Sequence, residues 1–355
     1  MRAASGAGHI RFRQQVTISA LTGLLLLGIA EASLRWYDGG GLPSLRLFWQ
    51  MEDGDISLRD GAEVLHRLRN GYVYPVSTGP YGIRTAGGTE PAPGPDHWIA
   101  IGDSQIFGLG VTFQETFAEV CRHEGIPVLN AGVPGYGIED GLRRVNRLLP
   151  RFRPKGILLF VNQANDWEEF GHPVESRFKV RGGWLLRRGD ADGAEGLFMA
   201  SPLSRVHFFY YINQFLYHAI RNKNSPVPPP PWINAPEGQD AVTARMVEMI
   251  HAFATAHPEL KVLVIFLPVD FATGEDRALK SPFAVMIQGT YPWKQHVLRD
   301  QLSKYIGDTP YLDLLPVLAD RADAFLDGDY HLSPVGHKMV ASAIIRKLRS
   351  HEDGK

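Results

Sequence analysis

From residue 96 onward, short apolar runs alternate with apolar residues at helical spacing. Trp98-Ile99-Ala100-Ile101 reads as a strand, and Pro127 to Asn130 as a second. Ile138, Leu142, Val145, Leu149 and Phe152 recur at the interval of one helix face. Gly156 to Val161 is a continuous apolar strand, with Pro154 before it and polar residues after. Val242 to Ala256 has the pattern of an amphipathic helix, Lys261 to Leu267 that of a buried strand, and Tyr311 to Leu314 that of a short fifth strand. Pro334 to Leu348 reads as a last helix, with Ser333 as N-cap and Pro334 at its first position. Strands that alternate with helices predict a parallel sheet covered on both faces. In such sheets a ligand sits outside the carboxyl ends of the strands.

Two stretches break this rhythm. Residues 38–95 are rich in Gly, Pro and Asp, and Ala92 to Pro95 reads as loop, so the stretch is expected to be a stalk and lead-in. Residues 168–240 interrupt the alternation with Trp184, Phe208, Phe209, Tyr210, Tyr211 and Trp232, and with the extended proline run Pro228 to Pro231. One reading makes this insertion a packed helix with loops. The other makes it a wall of the substrate cleft, with aromatic faces for sugar rings.

At the N-terminus, Arg2, Arg11 and Arg13 precede an apolar run from Val16 to Ala30, followed by Glu31, Arg35, Trp36 and Tyr37. Roughly 20 residues lie between Arg13 and Arg35, enough to cross a hydrocarbon core. The basic side stays in the cytoplasm, so residues 1–37 predict a single-pass anchor with the remainder exported to the periplasm or beyond. The rival is a signal peptide cleaved at the small-x-small pattern Ala30-Glu31-Ala32, which would release a secreted protein. The 355 residues leave room for one large α/β domain, taken as 96–350, beyond this segment. The 37 basic and 38 acidic side chains nearly cancel, which argues against nucleic acid as a partner. The single cysteine, Cys121, excludes an internal disulfide and reads as a buried thiol. No cofactor is expected, and His123-Glu124 lacks the second spaced histidine of a metal motif.

The candidate chemistry lies at the strand ends. After the first strand comes Gly102-Asp103-Ser104-Gln105, which places a serine at the start of a helix, where N–H groups favour negative charge. It is not the Gly-x-Ser-x-Gly elbow. After the second strand comes Asn130 to Gly137, a glycine-rich turn in which Gly135 offers a backbone N–H to an oxyanion. After the third comes Asn162-Gln163-Ala164-Asn165-Asp166, where Asn165 offers an amide N–H to the same oxyanion. Near the C-terminus, Asp327-Gly328-Asp329-Tyr330-His331 supplies a base with an aspartate to orient it. Asp103 and Asp166 read as turn and supporting residues, and His337 as surface or packing.

Gly-Asp-Ser, then Gly, Asn, and Asp with His, in that order, resembles the SGNH/GDSL hydrolase superfamily over residues 97 to about 350. The resemblance implies a flavodoxin-like α/β/α fold with about five parallel strands. It implies Ser104 as nucleophile, His331 as base, and an oxyanion hole formed by the Ser104 and Gly135 N–H groups and the Asn165 amide. Two departures stand out. Gln163 replaces the family's glycine, and Gly328 stands where many members have the aspartate. Asp329 is then the expected triad acid and Asp327 the alternative. The Asp-x-His spacing is similar to that of alginate O-acetyltransferase-like proteins. The implied activity is an esterase acting on O-acetyl or other esters of a carbohydrate or small molecule. The alternatives are an O-acetyltransferase of an exported polysaccharide, served by a membrane acyl-export partner, and a non-catalytic, membrane-tethered glycan-binding protein.

Overall fold

The structure is a computed structural model that describes residues 4–68, 71–87, 96–224, 236–281 and 297–353. Ala92 to Pro95, the run Pro228 to Pro231, and Trp232 lie outside the described residues. Twelve strands are described: β1 (Phe48–Gln50), β2 (Ile56–Leu58), β3 (Glu63–Arg67), β4 (Val73–Thr78), β5 (Arg84–Thr85), β6 (Trp98–Ile101), β7 (Val128–Asn130), β8 (Gly156–Asn162), β9 (Phe178–Arg181), β10 (Trp184–Arg187), β11 (Lys261–Leu267) and β12 (Tyr311–Asp313).

Five of them form one parallel sheet in the order β7-β6-β8-β11-β12. Numbered within that sheet by chain position, the order is 2-1-3-4-5, the flavodoxin-like doubly wound arrangement. The strands are short and apolar because both faces are covered. β8 is buried along its whole length, and β11 everywhere but Lys261. One face packs under the helices Ile138–Phe152, Pro236–Ala256 and Val297–Tyr305, through Leu142, Val145, Ile250 and Leu302. The other packs under Phe117–His123 and Pro334–Asp353, through Phe117, Cys121, Val340 and Ile344. Ser333 caps the last helix by accepting from the Gly336 N–H at 3.1 Å. Burial pushes the Cys121 thiol up to about 12, so it is held as an unreactive thiol.

The stretch expected as a stalk differs from that expectation. It holds β1 to β5 in two small antiparallel sheets, with Leu47, Ile56, Leu58, Tyr74 and Val76 in a core shared with Phe107, Val133 and Tyr136. Its strands are three to six residues long apart from the two-residue β5, and Pro75 interrupts β4, so period-two alternation had little length to register. Two buried contacts tie this lobe to the loop after β7. The Tyr136 hydroxyl donates to Ile56 O at 2.6 Å, and the Arg144 guanidinium donates to Ala131 O, Ser57 Oγ and Tyr81 O.

The N-terminal helix runs Ala4–Tyr37. Its segment Phe12–Tyr37 is long and apolar enough to cross a membrane. At 1.5 Å per residue those 26 residues span about 39 Å. Past the apolar run, the helix is fastened to the insertion. Glu31 accepts from the Phe208 N–H at 2.9 Å, at the start of the helix His207–Asn224, and pairs with the His207 ring at 3.3 Å. The buried Asp38 accepts from the Tyr211 hydroxyl at 2.8 Å and pairs with Arg67. The rest of the insertion includes the hairpin β9–β10 and the helix Ala194–Ala200.

Candidate active site

The order reversal of the sheet falls between β6 and β8, and the carboxyl ends at such a reversal are where doubly wound sheets bind their ligands. Ser104 follows β6 as the first residue of the helix Ser104–Phe107. Asp103 caps that helix by accepting from the Gln105 N–H at 2.9 Å. The Ser104 Oγ lies 2.9 Å from His331 Nε2. The other ring nitrogen, Nδ1, lies 2.6 Å from Asp329 Oδ1, which also accepts from the His331 N–H at 3.1 Å. The structure thus joins Ser104, His331 and Asp329 in one hydrogen-bonded chain. Asp327, the alternative acid, is exposed. Gly328 has φ +66°, a left-handed turn that favours glycine, and this turn brings the aspartate two residues before the histidine into reach.

Long-range ties hold this arm. The Gln105 side chain donates to Tyr330 O at 2.8 Å and accepts from the Leu332 N–H at 2.9 Å, so it grips the chain on both sides of His331. Arg277 donates to Leu326 O and Asp329 O and pairs with Asp270, fixing the loop from the opposite side. The Tyr330 ring stacks on the His331 ring at 4.3 Å.

The other arm carries the expected oxyanion donors. Gly135 has φ +89°, and a Cβ there would sit 2.9 Å from Leu185 Cδ2, so the turn requires glycine and hairpin β9–β10 lies directly against it. Among the described residues, the N–H groups of Ser104 and Gly135 meet no acceptor within the protein. Asn165 follows β8, and its Nδ2 donates to Glu169 Oε2 at 2.9 Å. The second Glu169 oxygen accepts from Arg177 at 2.6 Å. Arg177 also donates to Gly135 O at 2.6 Å and approaches Asp140 Oδ2 at 3.4 Å. Gln163, at the family's glycine position, accepts from the Val269 N–H at 3.3 Å and extends the pairing with β11.

Several buried acids surround these donors. Burial raises Asp103, although the Asn162 and Asn165 amides and His331 pull it down. Burial, with the neighbouring Asp103 charge, raises Asp166, which accepts from the Asn162 N–H at 2.6 Å. Burial pushes Glu169 up to about 8, against Arg177. His337 is buried rather than on the surface. It accepts from the Phe117 N–H, and burial pushes it down to about 3, so it packs as a neutral ring. Sequence reading passed over Gln105, Glu169, Arg177 and Arg277. For Glu169 a signal existed, since Asn165 and Glu169 stand four apart, the interval at which helical side chains meet.

No family model and no curated protein matches the chain. Solved structures do. The chain is similar to a psychrotrophic esterase, EstA, from Pseudoalteromonas sp., with 11% identity over 73% of this chain and 99% of that one, and a TM-score of 0.37. A lipase/acylhydrolase from Enterococcus faecalis matches at 16% identity over 72% and 96%, with a TM-score of 0.38. A member of the lipolytic protein G-D-S-L family from Veillonella parvula matches at 12% identity over 70% and 96%, with a TM-score of 0.35. The class itself follows from the strand order and the geometry of the site. This is a doubly wound α/β protein with a Ser-His-Asp chain at its switch point.

Proposed function

We propose that the protein is a membrane-tethered serine esterase of the SGNH kind, acting through an acyl-serine. The observation that carries the reading is the 2.9 Å contact from Ser104 Oγ to His331 Nε2, with Asp329 on the other ring nitrogen. His331 takes the Ser104 proton as Oγ attacks the ester carbonyl. Asp329 holds the ring tautomer and offsets the imidazolium charge. The free N–H groups of Ser104 and Gly135, with the Asn165 amide as third donor, face the developing oxyanion. The imidazolium then protonates the leaving alcohol. Water, deprotonated by the same ring, releases the acid and restores Ser104.

The finer reading is an O-acetyl ester on an exported glycan. Support comes from the anchor and from the insertion, whose Phe178 and Leu185 stand against Gly135. Retention of the N-terminal helix is part of the proposal. Cleavage after Ala32 would remove Glu31 and leave the Phe208 N–H without its carboxylate. Release of p-nitrophenol from its acetate by wild type and by Ser104→Ala tests the reading. The variant is expected to be inactive, and undiminished turnover would overturn the proposal.

A further inference from the structure

We propose that Glu169 is a positioning residue for the oxyanion side of the site, a single carboxylate that orients the Asn165 amide and, through Arg177, the Gly135 turn. The inference rests on the esterase reading above and adds to it a residue outside the triad and the three oxyanion donors.

The geometry is that of a two-armed clamp. Oε2 accepts from Asn165 Nδ2 at 2.9 Å, and Oε1 accepts from Arg177 at 2.6 Å. Arg177 carries the second arm onward to Gly135 O at 2.6 Å, and its Nε donates to His172 O at 2.7 Å. The clamp is sheltered, with the side chains of Glu169 and Arg177 16% and 17% exposed. Once ionised, above about pH 8, the Glu169 carboxylate only accepts, so it decides which end of the Asn165 amide it meets. Nδ2 must face Glu169, and the buried Oδ1 is left with no donor among the described residues. That leaves the amide's other N–H on the side of the buried Asp103 carboxylate, which also draws on it. The charged and titratable groups around Glu169 are Arg177, Asp103, Asp140 and Asp166. Of these only Arg177 favours its anion, which makes the carboxylate a costly group to keep for packing alone.

Gln at 169 has nearly the same shape but can donate as well as accept. It therefore lets the Asn165 amide flip and loses the charge opposite Arg177. A misplaced donor weakens the transition state more than the bound ester, so kcat should fall while KM holds.

The test measures hydrolysis of p-nitrophenyl acetate above pH 8 by the full chain in detergent micelles. Glu169→Gln is expected to lower kcat about tenfold or more, with KM within about twofold and an unchanged circular-dichroism spectrum. Asn165→Ala should lower kcat comparably. The double variant should lose less than the product of the two single losses, because both changes remove one interaction. Arg177→Lys keeps a charge beside Glu169 but not a planar two-armed fork, and should also lose kcat at constant KM. Wild-type kcat in Glu169→Gln, or losses that multiply in the double variant, would overturn the proposal. So would a fall confined to KM. Ser104→Ala in the same assay separates the two claims. If it stays active, the esterase reading itself fails. If it is dead while Glu169→Gln is normal, only the positioning role fails.

Discussion

The two arms of the site are built differently. The arm proposed to transfer the proton is short and direct. Asp329, His331 and Ser104 touch in sequence at 2.6 and 2.9 Å, and neutral amide contacts from Gln105 hold the chain around the histidine. The arm proposed to hold the oxyanion is indirect. Its side-chain donor and its glycine turn are held by Glu169 and Arg177, in a setting where burial raises Asp103, Asp140, Asp166 and Glu169 together. One arm depends on reach, the other on where buried charge is tolerated. The first should fail all at once on mutation. The second should fail by degrees and respond to pH.

The largest effects should come from the direct arm. Ser104→Ala and His331→Ala should each lower kcat/KM for p-nitrophenyl acetate by about 10^4-fold or more. Asp329→Ala should cost about 10^2- to 10^4-fold, while the exposed Asp327→Ala stays within about twofold. Equal losses at the two aspartates in that assay would break the assignment of the arm.

A smaller effect is expected where the arms meet the insertion. Gly135→Ala introduces a Cβ at φ +89°, 2.9 Å from Leu185 Cδ2. The strained conformation alone should cost about 1–3 kcal/mol of stability, read from urea unfolding. Trimming Leu185 to Ala in the same chain should restore part of the loss if crowding adds to the strain. No restoration would mean that φ alone sets the requirement.

The smallest effect is on the pH dependence of stability. Folding raises Glu169 above its unfolded value, so between about pH 4.5 and 8 the native state keeps a proton that the unfolded chain has released. The stability this provides is complete below the unfolded value and is lost as pH rises through about 8. The melting temperature should therefore fall across that window, and Glu169→Gln should flatten the fall. A variant curve parallel to wild type would show that Glu169 does not hold the extra proton.

Much of the fold was legible because its strands are complete apolar runs. Lys261 to Leu267 appears with the same bounds in sequence and structure, and Trp98 to Ile101 likewise. The lobe at 38–87 was not, since its short strands bury residues only by leaning on Phe107, Val133 and Tyr136 of the main domain. In the site, residue types at strand ends pointed to Ser104, His331, Gly135 and Asn165, and the structure brings the first two into contact. Spacing alone left Asp327 and Asp329 open, and the left-handed Gly328 is what turns Asp329 toward the ring. The reach of Arg177 to Gly135 and of Arg277 to Asp329 was invisible because the partners lie 42 and 52 positions away in the chain.

The most direct test of the central claim is covalent capture. The full-length protein is treated with a fluorophosphonate and the labelled peptide is identified by mass spectrometry, beside His331→Ala. Rapid labelling confined to Ser104, and slowed by orders of magnitude in the variant, is the predicted result. Labelling at another residue, or labelling of Ser104 that proceeds equally well without His331, would contradict the account.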